Sequence, residues 1–324
     1  MASPFFVWNP IRYFGCHSHQ SVKRTSTRTS AAASMFAIVF ALMTPGLALP
    51  ADPPKGQRVF TAGHSFHIPM IGTLDQIAKS AGITTHSIAG IQMLGGSTVT
   101  EHWNLPDNKD QARKAIKTGT VDVLTVSPHI AVPDEAINKF TALLLEHNPT
   151  GRVTVQVSWL PNEARVSKLL GYKDDPRDQV DPATLRRAGA PLLDKIREQV
   201  KAINDKYAAQ YKRQVVFLVP VGEAVYRLRE RIAKGEVPGV AKQSDLFADS
   251  LGHGKSAIGV LTGYCHFAVI YGQSPVGLPV PDALKKAAPA GDLEKLNAVL
   301  QEIAWAAVRS EPLSGVKAAA GEKP

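Results

Sequence analysis

The sequence predicts a single α/β domain, in which a mostly parallel, doubly wound sheet lies between two layers of helices. Short apolar runs alternate with longer stretches of helical periodicity over most of the chain. This alternation predicts parallel strands, because consecutive parallel strands need a crossover, which is usually a helix. The length of 324 residues, 44% of them hydrophobic and 20% charged, suffices for one large domain with a buried core. We therefore expect a three-layer α/β domain over residues 55–310.

The first 51 residues differ in composition from the rest of the chain. They contain four basic residues and no acidic one, and residues 35–49 form an apolar run that is too short for a comfortable membrane span. Gly46 and Ala48 are small residues at the positions where a secretory signal peptide has its cleavage motif. We expect residues 1–51 to be a signal peptide and the protein to be secreted or periplasmic, with an uncleaved anchor as the alternative.

The formal net charge of +9 is partly a property of this leader. Of the 37 Lys and Arg residues, 33 lie outside it, against 28 Asp and Glu. No basic run interleaved with aromatic residues remains, so the sequence does not predict a nucleic-acid partner. Of the two cysteines, Cys16 lies in the leader and Cys265 in an apolar helix. We expect no intramolecular disulfide after cleavage and a buried thiol at Cys265.

The first strand, turn and helix of the domain are predicted at residues 58–82. Residues 58–61 form a short apolar run, Gly63 permits a tight turn, and residues 68–82 have helical spacing. Ser65 therefore lies between a strand and a helix N-terminus. The free N–H groups of a helix N-terminus favour a developing negative charge, so this position suits a nucleophile that attacks a carbonyl. The alternative is that Ser65 only caps the helix.

The remaining elements follow from apolar runs and periodicity. Further strands are predicted at residues 84–91, 121–126, 152–159 and 214–219. Helices are predicted at residues 133–145, up to residue 213, at residues 223–234, after residue 253 and at residues 292–309. A polar excursion at residues 174–181 is either a solvated connection or a flap over the site. Residues 311–324 are expected to be a disordered tail.

Several polar or glycine residues follow the predicted strands directly. Gly95 and Gly96 come after the second strand, and Ser127 and His129 come after the third. In open α/β sheets the carboxyl ends of the strands form the edge at which ligands bind. We therefore expect these residues to gather with Ser65 at one edge of the sheet.

Near the C-terminal end, Asp249 and His253 lie in a short loop before the apolar helix. Serine early in the chain, with acid and histidine close together near the end, is the order found in SGNH/GDSL hydrolases. The chain resembles the secreted bacterial branch of that family, with Gly-His-Ser-Phe at residues 63–66 as the first block and Ser-Pro-Val-Gly-Leu at residues 274–278 as the closing turn. The resemblance spans roughly residues 58–279 and is strongest at its two ends.

The resemblance implies a Ser-His-Asp esterase without a cofactor, with Ser65 as nucleophile, His253 as base and Asp249 as its orienter. It also implies an ester substrate, for which carbohydrate O-acetyl groups are the favoured class. The family spacing is Asp-x-x-His, whereas this chain has one residue more. Gly252 could absorb the extra residue as a kink, so its deletion is expected to be tolerated. Asp245 is the alternative orienter, and Asp249 would then be only a helix cap.

For the oxyanion, the amides of Ser65 and of the Gly95-Gly96 loop are the expected donors. The third donor of the family is an asparagine in a Gly-x-Asn-Asp block, which this sequence lacks. Ser127 or His129 could replace it. If neither does, the chain is a weak enzyme, or an inactive member of the fold that binds a carbohydrate or a partner.

Three further residues, His64, His102 and Trp103, are expected to contact the substrate. A metal-dependent hydrolase is a less favoured alternative, in which His64 and His67 would bind a divalent ion together with His129 or Asp249. No His-x-Glu or His-Glu-x-x-His pattern supports that alternative. Trp159 is expected to be buried rather than to stack on a sugar.

Overall fold

The computed structural model of the chain describes residues 53–161, 177–287 and 291–317. The predicted signal peptide, the first part of the polar excursion and the end of the predicted tail lie outside these residues. The described residues belong to one compact unit that begins at Ala51. None of the helices found in those three ranges is long and apolar enough to cross a membrane.

The sheet has five strands, all parallel, in the order β2-β1-β3-β4-β5. The strands are β1 Arg58–Gly63, β2 Ser87–Met93, β3 Val123–Val126, β4 Arg152–Gln156 and β5 Val216–Val219. This is the strand order of flavodoxin-like doubly wound sheets, so the predicted fold class is confirmed. The strand β4 is shorter than predicted, because the chain leaves the sheet after Gln156 and places Trp159 beyond its edge.

Helices connect these strands and follow the last one. They are α1 Met70–Ser80, α2 Val99–Trp103, α3 Ala112–Lys117, α4 Ala136–His147, α5 Pro182–Tyr211, α6 Val221–Ala233, α7 Ser256–Tyr271, α8 Asp282–Ala287 and α9 Leu293–Ser310. The longest, α5, begins at a Pro after Asp181, whose carboxylate accepts from the Ala183 N–H, and ends where Lys212 adopts a left-handed conformation. The helix α7 is apolar on nearly every face because it packs between α1 and α9. Cys265, on α7, is a free buried cysteine, as predicted.

Hydrophobic cores cover the sheet on both faces. Val59 and Val123 point to the side of α1, α6, α7 and α9, while Phe60 and Leu124 point to the side of α2 to α5. Successive side chains of a strand point to opposite faces, so strands that are mostly apolar can supply both cores. The sequence-based expectation of a sheet covered on both sides is confirmed.

The neighbouring strands β1 and β3 define the point at which the strand order reverses. The chain leaves β1 toward α1 on one face and leaves β3 toward α4 on the other. A crevice therefore opens between the segments that follow these strands, as in other open α/β sheets. Ser65 and His129 lie on the two sides of this crevice.

Candidate active site

Ser65 lies in a tight turn between β1 and α1. The His64 carbonyl accepts hydrogen bonds from the N–H groups of His67 (2.9 Å) and Ile68 (3.1 Å), which wraps the chain into a helical turn. The helix α1 itself begins only at Met70, with Pro69 at its N-cap. The alternative in which Ser65 caps the helix is therefore wrong, and the hydroxyl is left available for other contacts.

The Ser65 hydroxyl contacts the imidazole of His253. Ser65 Oγ lies 2.8 Å from His253 Nε2, and His253 Nδ1 lies 2.6 Å from Asp249 Oδ2. Because an ionised carboxylate only accepts, His253 Nδ1 carries the proton and Nε2 is the acceptor for the Ser65 hydroxyl. The three side chains therefore form a hydrogen-bonded chain with the polarity that a serine nucleophile requires.

The loop between Asp249 and His253 accommodates its extra residue at Gly252. Gly252 adopts φ +102°, a conformation that favours glycine. Asp249 Oδ1 accepts from the N–H groups of Gly252 (2.9 Å) and His253 (3.1 Å), which leaves Oδ2 for the imidazole. These hydrogen bonds, chiefly that from the His253 side chain, lower the pKa of Asp249 to about 2. The alternative orienter, Asp245, instead accepts from the Lys242 N–H at 3.0 Å.

Two side chains hold this loop from outside. Trp159 Nε1 donates to the Gly252 carbonyl at 2.9 Å. Arg177 donates from Nη1 to the Asp249 carbonyl and from Nη2 to the Ser250 carbonyl, both at 2.8 Å, and lies over the Phe247 ring. No sequence motif marks Trp159 or Arg177 for this role, because their partners are backbone carbonyls.

Aromatic rings pack against His253. Phe66, the residue after Ser65, stacks on Trp159 with ring centroids 4.7 Å apart. Its ring also meets the His253 ring edge-on, with centroids 5.3 Å apart. The Ser65 turn and His253 therefore share one packed aromatic unit, which limits rotation of the imidazole.

A buried polar network supports the nucleophile turn. Gln156, at the end of β4, donates from Nε2 to the Phe66 carbonyl at 2.9 Å and accepts through Oε1 from His266 Nε2, also at 2.9 Å. His67 Nε2 lies 2.9 Å from Thr125 Oγ1 on β3. Burial lowers the pKa of His67 well below its usual value and that of His266 to about 3. Both histidines are therefore neutral and serve as hydrogen-bonding elements of the core.

Two residues that line the cleft, Ser65 and Gly96, are the candidate backbone donors. Across the described ranges, neither of their N–H groups donates to a protein acceptor. Both glycines are exposed, and Gly96, with φ +63°, lines the cleft whereas Gly95 does not. The predicted glycine loop therefore reaches the site through Gly96.

The structure corrects one expected oxyanion donor. The Ser127 side chain is fully buried and donates to the Gln156 carbonyl at 3.1 Å, so it is not available to a substrate. His129 lines the cleft across from His64, with ring centroids 5.9 Å apart. Of the two residues expected to replace the missing asparagine, His129 alone reaches the site.

The three expected substrate contacts have different positions. His64 lines the cleft, where its Nδ1 accepts from the Phe66 N–H at 3.3 Å, and burial followed by the charge of His129 lowers its pKa to about 4. His102 is 1% exposed, and its ring bonds Gln92 at 3.0 Å and Ser97 at 2.8 Å. The prediction that His102 contacts the substrate is therefore wrong. Its ring is buried and holds the glycine loop through the hydrogen bond to Ser97.

Trp103 also lies away from the cleft. Its ring meets Phe140 edge-on at 4.9 Å, and the Arg113 guanidinium lies over it at 5.6 Å. The prediction that Trp103 contacts the substrate is wrong, because α2 turns the indole toward α4. Trp159 is 3% exposed, in agreement with its expected burial.

The predicted metal alternative has no ligand cluster in the described part of the chain. There, no group of three or more His, Cys, Asp or Glu side chains is placed to hold a metal ion. His64 and His67 diverge, since His64 lines the cleft and His67 turns into the core toward Thr125.

Comparisons with known proteins give only distant likenesses. No protein-family model and no curated protein matches the chain. Similar solved structures include a DUF4886 family protein from Bacteroides uniformis (14% identity, 79% of this chain and 96% of that chain, TM-score 0.47). A candidate SGNH hydrolase from Slackia heliotrinireducens is 16% identical, over 65% of this chain and 97% of that chain, with a TM-score of 0.37. A candidate GDSL-like lipase from Parabacteroides merdae is 10% identical, over 69% of this chain and 99% of that chain, with a TM-score of 0.43. At these identities and TM-scores, the likenesses carry no argument about activity.

Proposed function

We propose that this protein is a serine ester hydrolase of the SGNH type, with Ser65 as nucleophile, His253 as general base and Asp249 as its orienter. One observation carries the proposal: Ser65 Oγ lies 2.8 Å from His253 Nε2, and His253 Nδ1 lies 2.6 Å from Asp249 Oδ2. Nucleophile and base are 188 residues apart in sequence. Their meeting at the carboxyl edge of the sheet, beside two unpaired amides, supports acyl transfer over an incidental surface contact.

In the proposed acylation step, Ser65 Oγ attacks the ester carbonyl carbon while its proton moves to His253 Nε2. Asp249 accepts from Nδ1–H and stabilises the imidazolium that forms. The carbonyl oxygen gains negative charge, which the N–H groups of Ser65 and Gly96 stabilise. Collapse of the tetrahedral intermediate breaks the bond to the alcohol oxygen, which leaves with the proton from Nε2.

Deacylation repeats these steps with water. His253 Nε2 takes a proton from a water molecule, whose oxygen attacks the acyl carbon on Ser65 Oγ. The second tetrahedral intermediate expels Ser65 Oγ, which recovers its proton from Nε2. The products are the carboxylic acid and the free enzyme, and no cofactor takes part.

A second candidate function is favoured by the weak oxyanion site. The Ser127 hydroxyl donates to the Gln156 carbonyl, and the segment between β3 and α4 contains no asparagine. Loss of one oxyanion donor typically lowers kcat on the order of a hundredfold or more. If His129 does not supply that donor, the protein binds an ester or a partner through the same cleft and turns it over slowly or not at all.

Covalent labelling separates the two functions. We expect an alkyl fluorophosphonate probe to label Ser65 in the purified protein, and Ser65→Ala to abolish both labelling and hydrolysis of p-nitrophenyl butyrate without a change in circular dichroism. The matched control is Ser80→Ala, an exposed serine whose hydroxyl only donates to the Ile77 carbonyl at 2.8 Å. A wild-type protein that takes no label while Ser80→Ala and wild type fold normally would favour the binding function.

The metal alternative is tested on the same preparation. We expect turnover of p-nitrophenyl butyrate to survive treatment with EDTA. Stoichiometric metal in the untreated protein, with activity lost on chelation and restored by the ion, would overturn the serine mechanism.

We also propose export of the protein, on the composition of residues 1–51. In a bacterial host, the mature protein is expected outside the cytoplasm, with an N-terminus close to residue 49 or 52. N-terminal sequencing of the fractionated protein tests this. A product that starts at Met1 and remains in the membrane fraction would favour the uncleaved anchor.

A further inference from the structure

The cleft beside Ser65 is apolar over most of its wall. Its cavity volume, as the space open to the centres of water-sized molecules, is about 80 Å³. Beyond the turn that carries Ser65, its wall consists mainly of carbon side chains, among them Val157, Trp159, Leu192 and Ile196. No carboxylate, carboxamide, ammonium or guanidinium group belongs to this wall as the described residues form it. A sugar needs several such hydrogen-bonding partners, whereas a hydrocarbon needs none.

The mouth of the cleft is apolar as well. Ile130, after β3, is 59% exposed, and Leu251, in the loop before His253, is 37% exposed. Both side chains line the cleft. They belong to a small set of large hydrophobic residues that are exposed in the described part of the chain. Their position at the mouth extends the apolar wall outward to the surface.

The position of the cleft relative to His253 indicates which part of an ester occupies it. His253 Nε2 protonates the leaving alcohol, so the alcohol must lie on the His253 side of the attacked carbon. The wall of the cleft includes Ser65 and Gly96, the expected oxyanion donors, but not the His253 side chain. A group that extends from the attacked carbon away from His253 is the acyl group.

We propose that this cleft binds the hydrocarbon chain of the acyl group, so that the protein acts on esters of medium-length aliphatic acids in preference to acetates. The proposal rests on the serine hydrolase function proposed above. It departs from the O-acetyl carbohydrate substrate that the family resemblance favours, because one methyl group would leave most of the cleft without an apolar partner. The length of the acyl chain, and not the structure of the alcohol, is then the main determinant of kcat/KM.

A series of p-nitrophenyl esters tests the proposal directly. With acetate, butyrate, hexanoate, octanoate and decanoate, we expect kcat/KM to rise by about fourfold per buried methylene group until the cleft is filled. Hexanoate, with four methylene groups more, should exceed acetate by about 250-fold if all four are buried. A maximum at acetate, with measurable turnover, would overturn the proposal and leave the serine hydrolase function intact.

A second series assigns the chain to the acyl or the alcohol side. In alkyl acetates of increasing alcohol length, the acyl group stays constant, and we expect kcat/KM to change little. A steep rise in this series with a flat acyl series would overturn the acyl assignment. Absence of turnover in both series, together with absence of fluorophosphonate labelling, would contradict the serine hydrolase function itself.

Variants of the wall supply the structural test. Leu192→Trp, in the wall on α5, should shift the preferred acyl chain toward butyrate, while Leu193→Trp, whose side chain packs outside the cleft, should retain the wild-type preference. Because either tryptophan could disturb α5, surface variants provide a second test. Ile130→Ser should lower the ratio of octanoate to acetate turnover several-fold, whereas Val276→Ser, 52% exposed and away from the cleft, should not. Equal ratios in Ile130→Ser and wild type, and an unchanged preference in a folded Leu192→Trp, would overturn the proposal.

Discussion

At the scale of single residues, Asp249 uses its two carboxylate oxygens for different tasks. Oδ1 accepts two backbone N–H groups of its own loop, and Oδ2 accepts from His253 Nδ1. A carboxylate that accepts three hydrogen bonds stays ionised, which agrees with its pKa of about 2. The tautomer of His253 therefore depends on a side chain that the loop itself holds in place.

We expect Asp249→Asn to lower kcat by about a thousandfold or more while the protein stays folded. An asparagine amide that donates to Nδ1 would move the imidazole proton to Nε2, which then cannot accept the Ser65 proton. Steady-state kinetics with p-nitrophenyl butyrate measure the effect, and circular dichroism checks the fold. Asp245→Asn is the matched control, since Asp245 only accepts from the Lys242 N–H. Similar rates for both variants would contradict the role of Asp249.

Gly252 shows what the sequence can and cannot predict at this scale. The longer Asp-to-His spacing indicates a glycine kink, and the structure has φ +102° there. The same spacing suggests that the residue is dispensable, whereas the structure gives its N–H to Asp249 and its carbonyl to Trp159. Sequence motifs predict Ser65, Asp249 and His253 from their side chains. The backbone hydrogen bonds of Gly252 depend on the conformation of the loop, which only the structure gives.

Deletion of Gly252 is therefore expected to lower kcat more than tenfold, in contrast to the expectation from family spacing. The shortened loop would lose both hydrogen bonds and would turn His253 relative to Ser65. Gly252→Ala keeps the loop length and has room for a methyl group, with Trp159 Nε1 3.7 Å from the added carbon, so its cost is backbone strain of about 1 kcal/mol. A deletion variant with higher kcat than Gly252→Ala would contradict this account.

At the scale of elements, the polar segment before α5 contacts the Asp249 loop, which its composition does not predict. The excursion at residues 174–181 suggests a solvated connection or a flap, because it is rich in charged residues. Arg177, however, is 6% exposed and donates to two carbonyls of the Asp249 loop. The sequence does not distinguish an arginine that is buried over an aromatic ring from one that is exposed to water. Helical periodicity therefore predicts α5, but nothing in the sequence predicts the contact of Arg177 with the Asp249 loop.

We expect Arg177 to act as a positioning residue for the base. Arg177→Met should lower kcat about tenfold with little change in KM, because the substrate cleft does not include Arg177. Arg177→Lys should recover part of kcat, since one ammonium can still donate to a carbonyl. Arg187→Met is the control, with a side chain 70% exposed near Asp181. If Met and Lys at position 177 give the same kcat, or if KM alone changes, the residue stabilises the fold without positioning His253.

At the scale of the whole molecule, the fold is the most predictable feature. Alternating strands and helices give the parallel sheet, and the mostly apolar runs of its strands give its two covered faces. The strand order does not follow from the sequence, because it depends on which face each crossover helix covers. The burial of His64, His102 and His266 is likewise not predicted from the sequence. A histidine next to a motif serine, such as His64, is more readily interpreted as a substrate contact than as a core residue.

These histidines predict a loss of stability in mild acid. Burial lowers the pKa of His64 and His102 to about 4 and that of His266 to about 3, against 6.5 in an unfolded chain. Below about pH 6.5 the unfolded chain binds more protons, so the free energy of unfolding falls by up to about 1.4 kcal/mol per pH unit for each histidine. Stability is therefore complete above pH 6.5 and is lost progressively toward pH 4.

Thermal unfolding at a series of pH values measures this loss. We expect Tm to fall steeply between pH 6.5 and 4.5 and to be nearly constant from pH 7 to 8. A Tm that stays constant from pH 7 down to 5 would show that these histidines are protonated in the folded protein.

Ser65 follows β1, and His253 comes 188 residues later, with every strand after β1 between them in sequence. A ribosome therefore releases the nucleophile long before it makes the base, and an unfinished chain that stops short of residue 253 carries a serine with no partner to activate it. Under the proposed mechanism, hydrolysis therefore requires synthesis past residue 253 and folding of the strands in between, so activity would report that residues 65–253 are present and folded together.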